Sequence, residues 1–419
     1  MLQHIPILAA GQHAGQALGV LPGGAGSLYI HTPFCTHKCH YCDFYSLADP
    51  RDRQGPFVER LSRELAALSA WAGPLRTIFV GGGTPSLLRT DLWGRILGVL
   101  HSRFDLSAIL GGEGEFTVEC NPESVTPELL GVLRAGGVNR LSMGAQSFHL
   151  AHLRTLERRH DPESVPRAIG LARAAGFERL SLDLIFAIPG QTLGDWLEDL
   201  DTALALGTTH LSCYALTYEP GTAMTARLRR GEFAPVEEDL DAEMYEAAVG
   251  RLRAGGLERY EVSNFARPGE ACRHNLAYWR QEDWLAAGPS ASAHVAGWRW
   301  KNVPRLDDYL AGDVSGFSPI TDLEGADERR ALRERLMTGI RLREGVPIER
   351  TLERAGGIDA ALPGRLRSVV DRQAEWGAIE TTGSAWRLTD RGFLVADAVA
   401  RDLMLCVEVG AVEAGPGQE

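Results

Sequence analysis

The sequence predicts an α/β protein, a partial (β/α)6 barrel followed by a helical, winged-helix-like C-terminal domain. Three observations predict it. Between about residues 28 and 220, six short β-branched or apolar runs alternate with longer amphipathic ones. Unusual polar residues stand late in each short run or just after it. From residue 327 onward the pattern becomes helical, with one hairpin. Regular βα alternation gives a parallel sheet with right-handed crossovers. Six units leave such a barrel open on one side, where a large flat substrate could enter. A chain of 419 residues carries about two to three domains' worth of core. The expected division is a flexible extension over 1–26, the barrel over 27–260, a linking region over 261–326 and the C-terminal domain over 327–419.

The extension is rich in Gly and Ala and contains neither Lys nor Arg. It therefore lacks the basic start of a signal peptide and the Arg-rich face of a presequence. We expect a loose extension or a mis-assigned start. The six strands are expected at 27–34, 76–82, 115–121, 140–148, 179–189 and 210–220. Between them, Thr126-Pro127-Glu128 and Asp161-Pro162-Glu163 each set a capping side chain before a first-turn proline. Thr192 and Asp195 form a capping box with Asp in place of the usual Glu or Gln. In order, the strand ends carry a cysteine loop, Gly81-Gly82-Gly83-Thr84, Glu119, Gln146, Asp183 and Tyr214. Taken singly, each has an ordinary structural explanation. Parallel barrels present their chemistry at the C-terminal strand ends, so six such segments together point to a site.

The cysteine loop is Cys35-x₃-Cys39-x₂-Cys42, and the next cysteine is Cys120. Three thiolates can hold three irons of a [4Fe–4S] cluster and leave the fourth iron open to a small molecule. A Cys₃His zinc site using His37 or His40 is the alternative that spacing leaves open. Seven cysteines, an odd number, with no secretory signal read as a reducing compartment and not as a disulfide framework.

The run Tyr29-Ile30-His31-Thr32-Pro33-Phe34-Cys35, continued by Cys39-His40-Tyr41-Cys42-Asp43-Phe44, resembles the signature of radical S-adenosylmethionine (SAM) enzymes. Within them it is similar to the oxygen-independent coproporphyrinogen III oxidase-like family, which also contains the heme chaperone HemW. The resemblance runs from about residue 28 into the C-terminal region and implies a radical SAM partial barrel. It implies a [4Fe–4S] cluster on Cys35, Cys39 and Cys42, with SAM on the open iron through its amino and carboxylate groups. It assigns Gly82, Gly83 and Thr84 to the SAM amino group. Glu119, Gln146, Arg158 and Asp183 go to the methionine end and ribose hydroxyls, and Tyr29, Tyr41 and Ala215 to the pocket lining. Two positions depart from the family pattern. Glu157 and Ala187 stand where glycine is usual, and neither change removes a ligand.

Two features resemble the chaperone branch. Phe44 stands where the oxidase carries a further cysteine, and His274-Asn275-x-x-Tyr278-Trp279 resembles the chaperone's motif. The resemblance implies His274 as an axial heme ligand, with Tyr278 and Trp279 laid along the macrocycle. The same residues could instead position SAM or shape the barrel's open side. Cys272 is a second candidate ligand or an inert buried thiol. The small-residue run 288–294 allows close backbone packing and ends in His294, a weaker heme candidate. The implied function is a cytoplasmic heme chaperone. The alternatives are an oxidase that decarboxylates coproporphyrinogen III and a zinc-stabilised binding protein without radical chemistry. Implied partners are heme, heme-acceptor proteins including membrane respiratory proteins, and an electron donor such as a flavodoxin or ferredoxin.

In the tail, helices are expected at 328–343 and 363–376, a hairpin at 378–381 with 385–388, and a last helix at 389–405. This order resembles a winged helix, but 14 Arg stand against 16 acidic residues between 327 and 419, without the basic excess of a DNA-binding wing. A cap over the barrel or a protein-interaction surface is expected instead. The net charge of −12 argues against nonspecific binding to nucleic acid or anionic membrane. No apolar stretch reaches the length of about 20 residues that spans a bilayer, so no permanent membrane anchor is expected.

Overall fold

The structure, a computed structural model, describes residues 24–312 and 316–408. Residues 1–23 of the expected extension lie outside the described residues, and the first strand already begins at Ala25. The chain divides into two compact units, the first comprising Met1–Glu258, Phe265–His274 and Asp283–Glu324. The second comprises Arg259–Asn264, Asn275–Glu282 and Gly325–Glu419.

The first unit is the expected α/β fold. Strands β1 (Ala25–Thr32), β2 (Ala72–Gly82), β3 (Glu115–Cys120), β4 (Arg140–Gln146), β5 (Arg179–Phe186) and β6 (His210–Ala215) pair in parallel in chain order. Helices α1 (Gln54–Leu68), α2 (Thr90–Arg103), α3 (Pro127–Ala135), α4 (Leu150–Thr155), α5 (Ser164–Ala174) and α6 (Leu193–Ala205) lie between them in sequence. After β6 come α7 (Ala223–Arg229), α8 (Glu238–Ala254) and α9 (Arg273–Trp279). Four short strands that the sequence did not announce extend the sheet from the other edge of β1. They are β7 (Trp284–Ala287), β8 (Ser292–Val295), β9 (Trp298–Asn302) and β10 (Ile320–Glu324). The resulting order, β10-β9-β8-β7-β1-β2-β3-β4-β5-β6, continues beyond β6 into two short strands at Asn264–Ala266 and Glu258–Arg259 and does not return on itself, so the barrel is partial.

Alternation along the six parallel strands decides what each face does. One face carries Leu28, Ile30, Ile78, Val80, Phe116, Val118, Leu141, Met143, Leu180, Leu182 and Leu211, all buried in the hydrophobic core. The other face is polar and bonded across strands. Thr77 donates to Ser27 at 2.9 Å, Ser212 to Asp183 at 2.7 Å, and Ser181 meets His210 at 2.8 Å. The inner wall of the barrel is therefore built of hydroxyls, histidines and carboxylates.

Thr126 caps α3 by accepting from Leu129 N at 3.2 Å. The Thr192–Asp195 capping box makes both of its bonds at the start of α6. Asp161 does not cap: α5 begins only at Ser164, and Asp161 accepts from Glu163 N in a local turn. Glu157 and Ala187 both adopt left-handed backbone conformations, with φ of 57° and 56°. This accounts for the glycine expected at both positions, since a Cβ there costs about 1–2 kcal/mol. Ala187→Gly returns part of that through the unfolded chain's added freedom, so a net gain of about 0.5–1 kcal/mol is expected in urea denaturation.

The second unit holds helices α10 (Glu328–Gly339), α11 (Ile348–Ile358), α12 (Leu362–Glu375), α13 (Asp390–Leu394) and α14 (Ala396–Glu408). Its small antiparallel sheet has the order β11-β13-β12, from β11 (Val346–Pro347), β12 (Ile379–Thr382) and β13 (Ala385–Leu388). The expected last helix is broken at Val395, and α11 was not foreseen. Leu332, Leu336, Leu366, Leu388, Val399 and Leu403 are buried.

Candidate functional site

The site begins where β1 ends. Thr32 O and Phe34 O accept from Gly83 N and Thr84 N at 2.6 and 2.7 Å, tying the start of the cysteine loop to the end of β2. Cys35 N donates to Leu47 O and Leu47 N to Pro33 O, which closes the base of the loop. Met224 N, on α7, donates to His40 O at 2.8 Å, and Arg227 meets His40 Nδ1 at 3.3 Å. The glycines make this closure possible. A Cβ on Gly82, where φ is +101°, would lie 2.3 Å from the His31 ring, and one on Gly83 would lie 2.6 Å from Phe34 O. What the absent side chains admit is the end of β1 and the residues that lead into the cysteine loop.

Cys35, Cys39 and Cys42 are all half-buried. Thr84 donates its hydroxyl to Cys35 Sγ at 3.5 Å, and Arg158 donates to Cys39 Sγ at 3.8 Å. Burial, with the neighbouring thiols Cys39 and Cys35 adding to it, pushes the Cys42 thiol up to about 11. Burial also raises Cys35. Thiols disfavoured as free thiolates, with hydrogen-bond donors already aimed at two sulfurs, suit a metal cluster that supplies the missing positive charge. Among the described residues, no three His, Cys, Asp or Glu side chains close on a point as one metal ion requires.

Arg158 organises the rim beside the cysteines. Its Nη2 donates to Asn121 Oδ1 at 3.0 Å and to Gly144 O at 2.9 Å. Gln146 takes a left-handed φ of 64°, and a Cβ on Gly144 would lie 2.7 Å from its Nε2, so the amide folds back over that glycine. Glu119 accepts from Gly82 N at 3.1 Å, and Asp183 accepts from Ser212 and Ser142. Register sets Glu119 opposite Ser142 and Gly144 opposite Asp183. Tyr41 packs on Leu156, Ile185 and Met224, within electrostatic reach of Arg158 and Asp183. Tyr29 donates to His31 Nδ1, and Ala215 ends β6 exposed. Asn121, Ser142, Ser212 and His31 join the rim without having been singled out in the sequence. Only Asn121, two residues beyond Glu119 and so on the same strand face, had a readable signal.

Burial, with the nearby Asp183 carboxylate, raises Glu119 to about 8. Between its ordinary value and about 8, the folded protein holds a proton that the unfolded chain has released. Stability therefore falls as pH rises through this window. Glu119→Gln removes that slope. Relative to wild type, the cluster-free variant is expected to gain on the order of 2 kcal/mol between pH 5 and pH 8 in denaturant titrations, less than full burial would give because the rim admits water.

The structure does not place His274 with this rim. Its ring is fully buried, with Nδ1 at 2.8 Å from Thr77 Oγ1 and its face stacked on Phe79 at 5.4 Å. Tyr278 and Trp279 lie further along α9, half-buried and in the second unit. Cys272 is buried and bonded to Glu115, consistent with an inert thiol. His294 is also buried, its ring 4.9 Å from that of Trp284. Gly288 packs as expected for its small-residue run, since a Cβ there would lie 2.3 Å from His31 O.

Comparison with known proteins bears on the family and the fold. Residues 29–203 match the model of the Radical SAM superfamily, and residues 326–395 match the HemN C-terminal domain. Heme chaperone HemW of Mycobacterium tuberculosis is 38% identical over 399 residues, covering 92% of this chain and 97% of that protein. The Bacillus subtilis and Escherichia coli proteins of the same name are 35% and 34% identical, covering 89% and 88% of this chain and 97% and 95% of their own lengths. The solved coproporphyrinogen III oxidase (HemN) of Escherichia coli superposes with a TM-score of 0.79 at 22% identity, covering 94% of this chain and 92% of that one. At that identity the match shows the shared fold.

Proposed function

The chain belongs to the radical SAM superfamily, in the family of the HemW heme chaperones, and from that premise we propose that it carries heme to acceptor proteins from a scaffold that binds a [4Fe–4S] cluster and SAM. The cluster is assigned to Cys35, Cys39 and Cys42. SAM is assigned to the rim formed by Gly82, Gly83, Thr84, Glu119, Gln146, Arg158 and Asp183, with Tyr29, Tyr41 and Ala215 lining it. The observation that carries this reading is the convergence of Thr84 and Arg158 on two of the cysteine sulfurs, beside a rim bearing two carboxylates. When bound, the cluster supplies one-electron chemistry at an open iron.

The protein's own residues do the holding. Arg158 neutralises charge beside Cys39 and fixes Asn121 and Gly144. Glu119 and Asp183 offer acceptors to a cationic amino group and to hydroxyls. Tyr278 and Trp279 are assigned to the face of the heme macrocycle. Phe44 is 62% exposed on the cysteine loop, at the position where the oxidase pattern carries a further cysteine. A cytoplasmic location, heme acceptors among membrane respiratory proteins, and a flavodoxin- or ferredoxin-type electron donor belong to the same proposal. No helix among the described residues is long and apolar enough to cross a membrane.

A paired assay tests the function. Anaerobically reconstituted protein should bind added heme with a shifted Soret band and leave the carboxylates of coproporphyrinogen III intact during incubation with SAM and a reductant. Loss of those carboxylates would assign the protein as an oxidase. Stoichiometric zinc without sulfide would assign it as a zinc-stabilised binding protein.

A further inference from the structure

We infer that His274 is a positioning residue, which braces the cysteine loop from inside the barrel through the Tyr29–Phe79 aromatic stack and His31. The inference rests on the proposed role of that loop and deepens it. It begins at Glu115, a fully buried carboxylate on β3. Glu115 accepts from Cys272 Sγ, Arg273 N and His274 N, each at 3.2 Å, and from Arg179 at 2.9 Å. The segment 272–274 is thus pinned against the inner wall by one side chain.

So held, the imidazole has a fixed place. Nδ1 meets Thr77, which in turn donates to Ser27, and the ring stacks on Phe79 at 25° and lies 6.5 Å from Tyr29. Tyr29 and Phe79 stack on each other at 6.3 Å. From Tyr29 the chain of contacts continues upward. The Tyr45 carbonyl accepts from His31 Nε2 at 2.8 Å, which leaves His31 Nδ1 as the acceptor for the Tyr29 hydroxyl at 3.1 Å. The tautomer of His31 is therefore set from both sides. Tyr45 lies in the loop whose base is closed by Cys35 and Leu47. A continuous column runs from the His274 motif to the cysteine loop, and a change of ring at its foot is felt at its head.

Two variants separate this role from iron ligation. His274→Phe keeps a flat ring and removes the imidazole nitrogens, while His274→Ala removes the ring. Each is reconstituted anaerobically as the full chain, and two readouts are taken. One is the change in the cluster's electron paramagnetic resonance and visible spectra on adding SAM, and the other is the heme Soret titration. His274→Phe should keep its SAM affinity within about threefold of wild type and bind heme in full, whereas His274→Ala should lose about tenfold or more in SAM affinity while still binding heme, as outer-shell substitutions do. A normal SAM response with a lost Soret shift in His274→Phe would overturn the inference in favour of iron ligation. So would an unchanged SAM response in His274→Ala.

Phe79→Leu provides a second route if His274→Ala does not fold, because it removes the ring that stacks on both His274 and Tyr29 and is not among the residues assigned to SAM. It should weaken the SAM-dependent spectral change, and an undisturbed change overturns the inference. Wild-type protein that assembles no cluster overturns the proposed function itself, and this inference with it.

Discussion

Replacing any one of Cys35, Cys39 and Cys42 with alanine should abolish iron and sulfide uptake during anaerobic reconstitution, whereas Cys120→Ala and Cys213→Ala should leave it intact. Wild type is expected to take up about four irons and four sulfides per chain. Only thiols that can reach a common cluster can ligate it. Cys35 and Cys42 each lie within the electrostatic reach of the other loop thiols. Cys120 and Cys213 are buried on the opposite strand face, in the core. With only three loop thiols, the loss of one leaves a cubane with two protein ligands. The two sulfur-directed donors make a finer distinction. Thr84→Val removes the hydroxyl on Cys35 and Arg158→Met removes the charge beside Cys39, so both should lower the cluster's reduction potential without emptying the site. An equal loss of iron in Cys120→Ala would mean that the cluster is not on the loop.

Much of the barrel and part of the site were legible in the sequence, for local reasons. A strand's period of two separates Leu28 and Ile30 from Ser27, Tyr29 and His31 without any knowledge of neighbours. The capping roles of Thr126 and Thr192 were readable because their partners lie three residues away. Asp161 was misread because Pro162 and Glu163 complete a turn before α5 starts. Strands β7 to β10 were illegible, being only four or five residues long and set among Gly, Pro and Ser. The glycines at 81–83 were readable as a place of close approach, but not what approaches: the backbone that fills Gly83's missing side chain comes from Thr32 and Phe34, on the preceding strand and its loop. His274 shows the same limit. Its motif could be read, but its surroundings depend on Glu115, 159 positions earlier, and no spacing rule connects the two.

Glu115→Gln should cost about 3 kcal/mol in denaturant titrations at neutral pH, at the low end for breaking a buried ion pair, because its cation keeps a second carboxylate. Arg179 donates to Glu115 at 2.9 Å with its side chain 18% exposed, and keeps only Glu270, at 3.0 Å, once the charge is gone. Burial alone would push the Glu115 carboxyl up. The guanidinium groups of Arg140 and Arg179, helped by Arg273 N–H and the Cys272 thiol, outweigh it and hold the carboxyl below its ordinary value of 4.5. The sign of the pH dependence follows. The carboxylate's contribution is complete above that ordinary value and fades as pH falls through the depressed folded one. The gap between wild type and Glu115→Gln should therefore be widest at neutral pH and narrow in acid. A gap of constant size down to low pH would place the cost in packing, and Glu115 would then be a filler of the barrel floor with no electrostatic hold on segment 272–274. In that case the column above His274 would have no charged anchor, and Glu115→Gln should leave the SAM-dependent cluster spectrum unchanged.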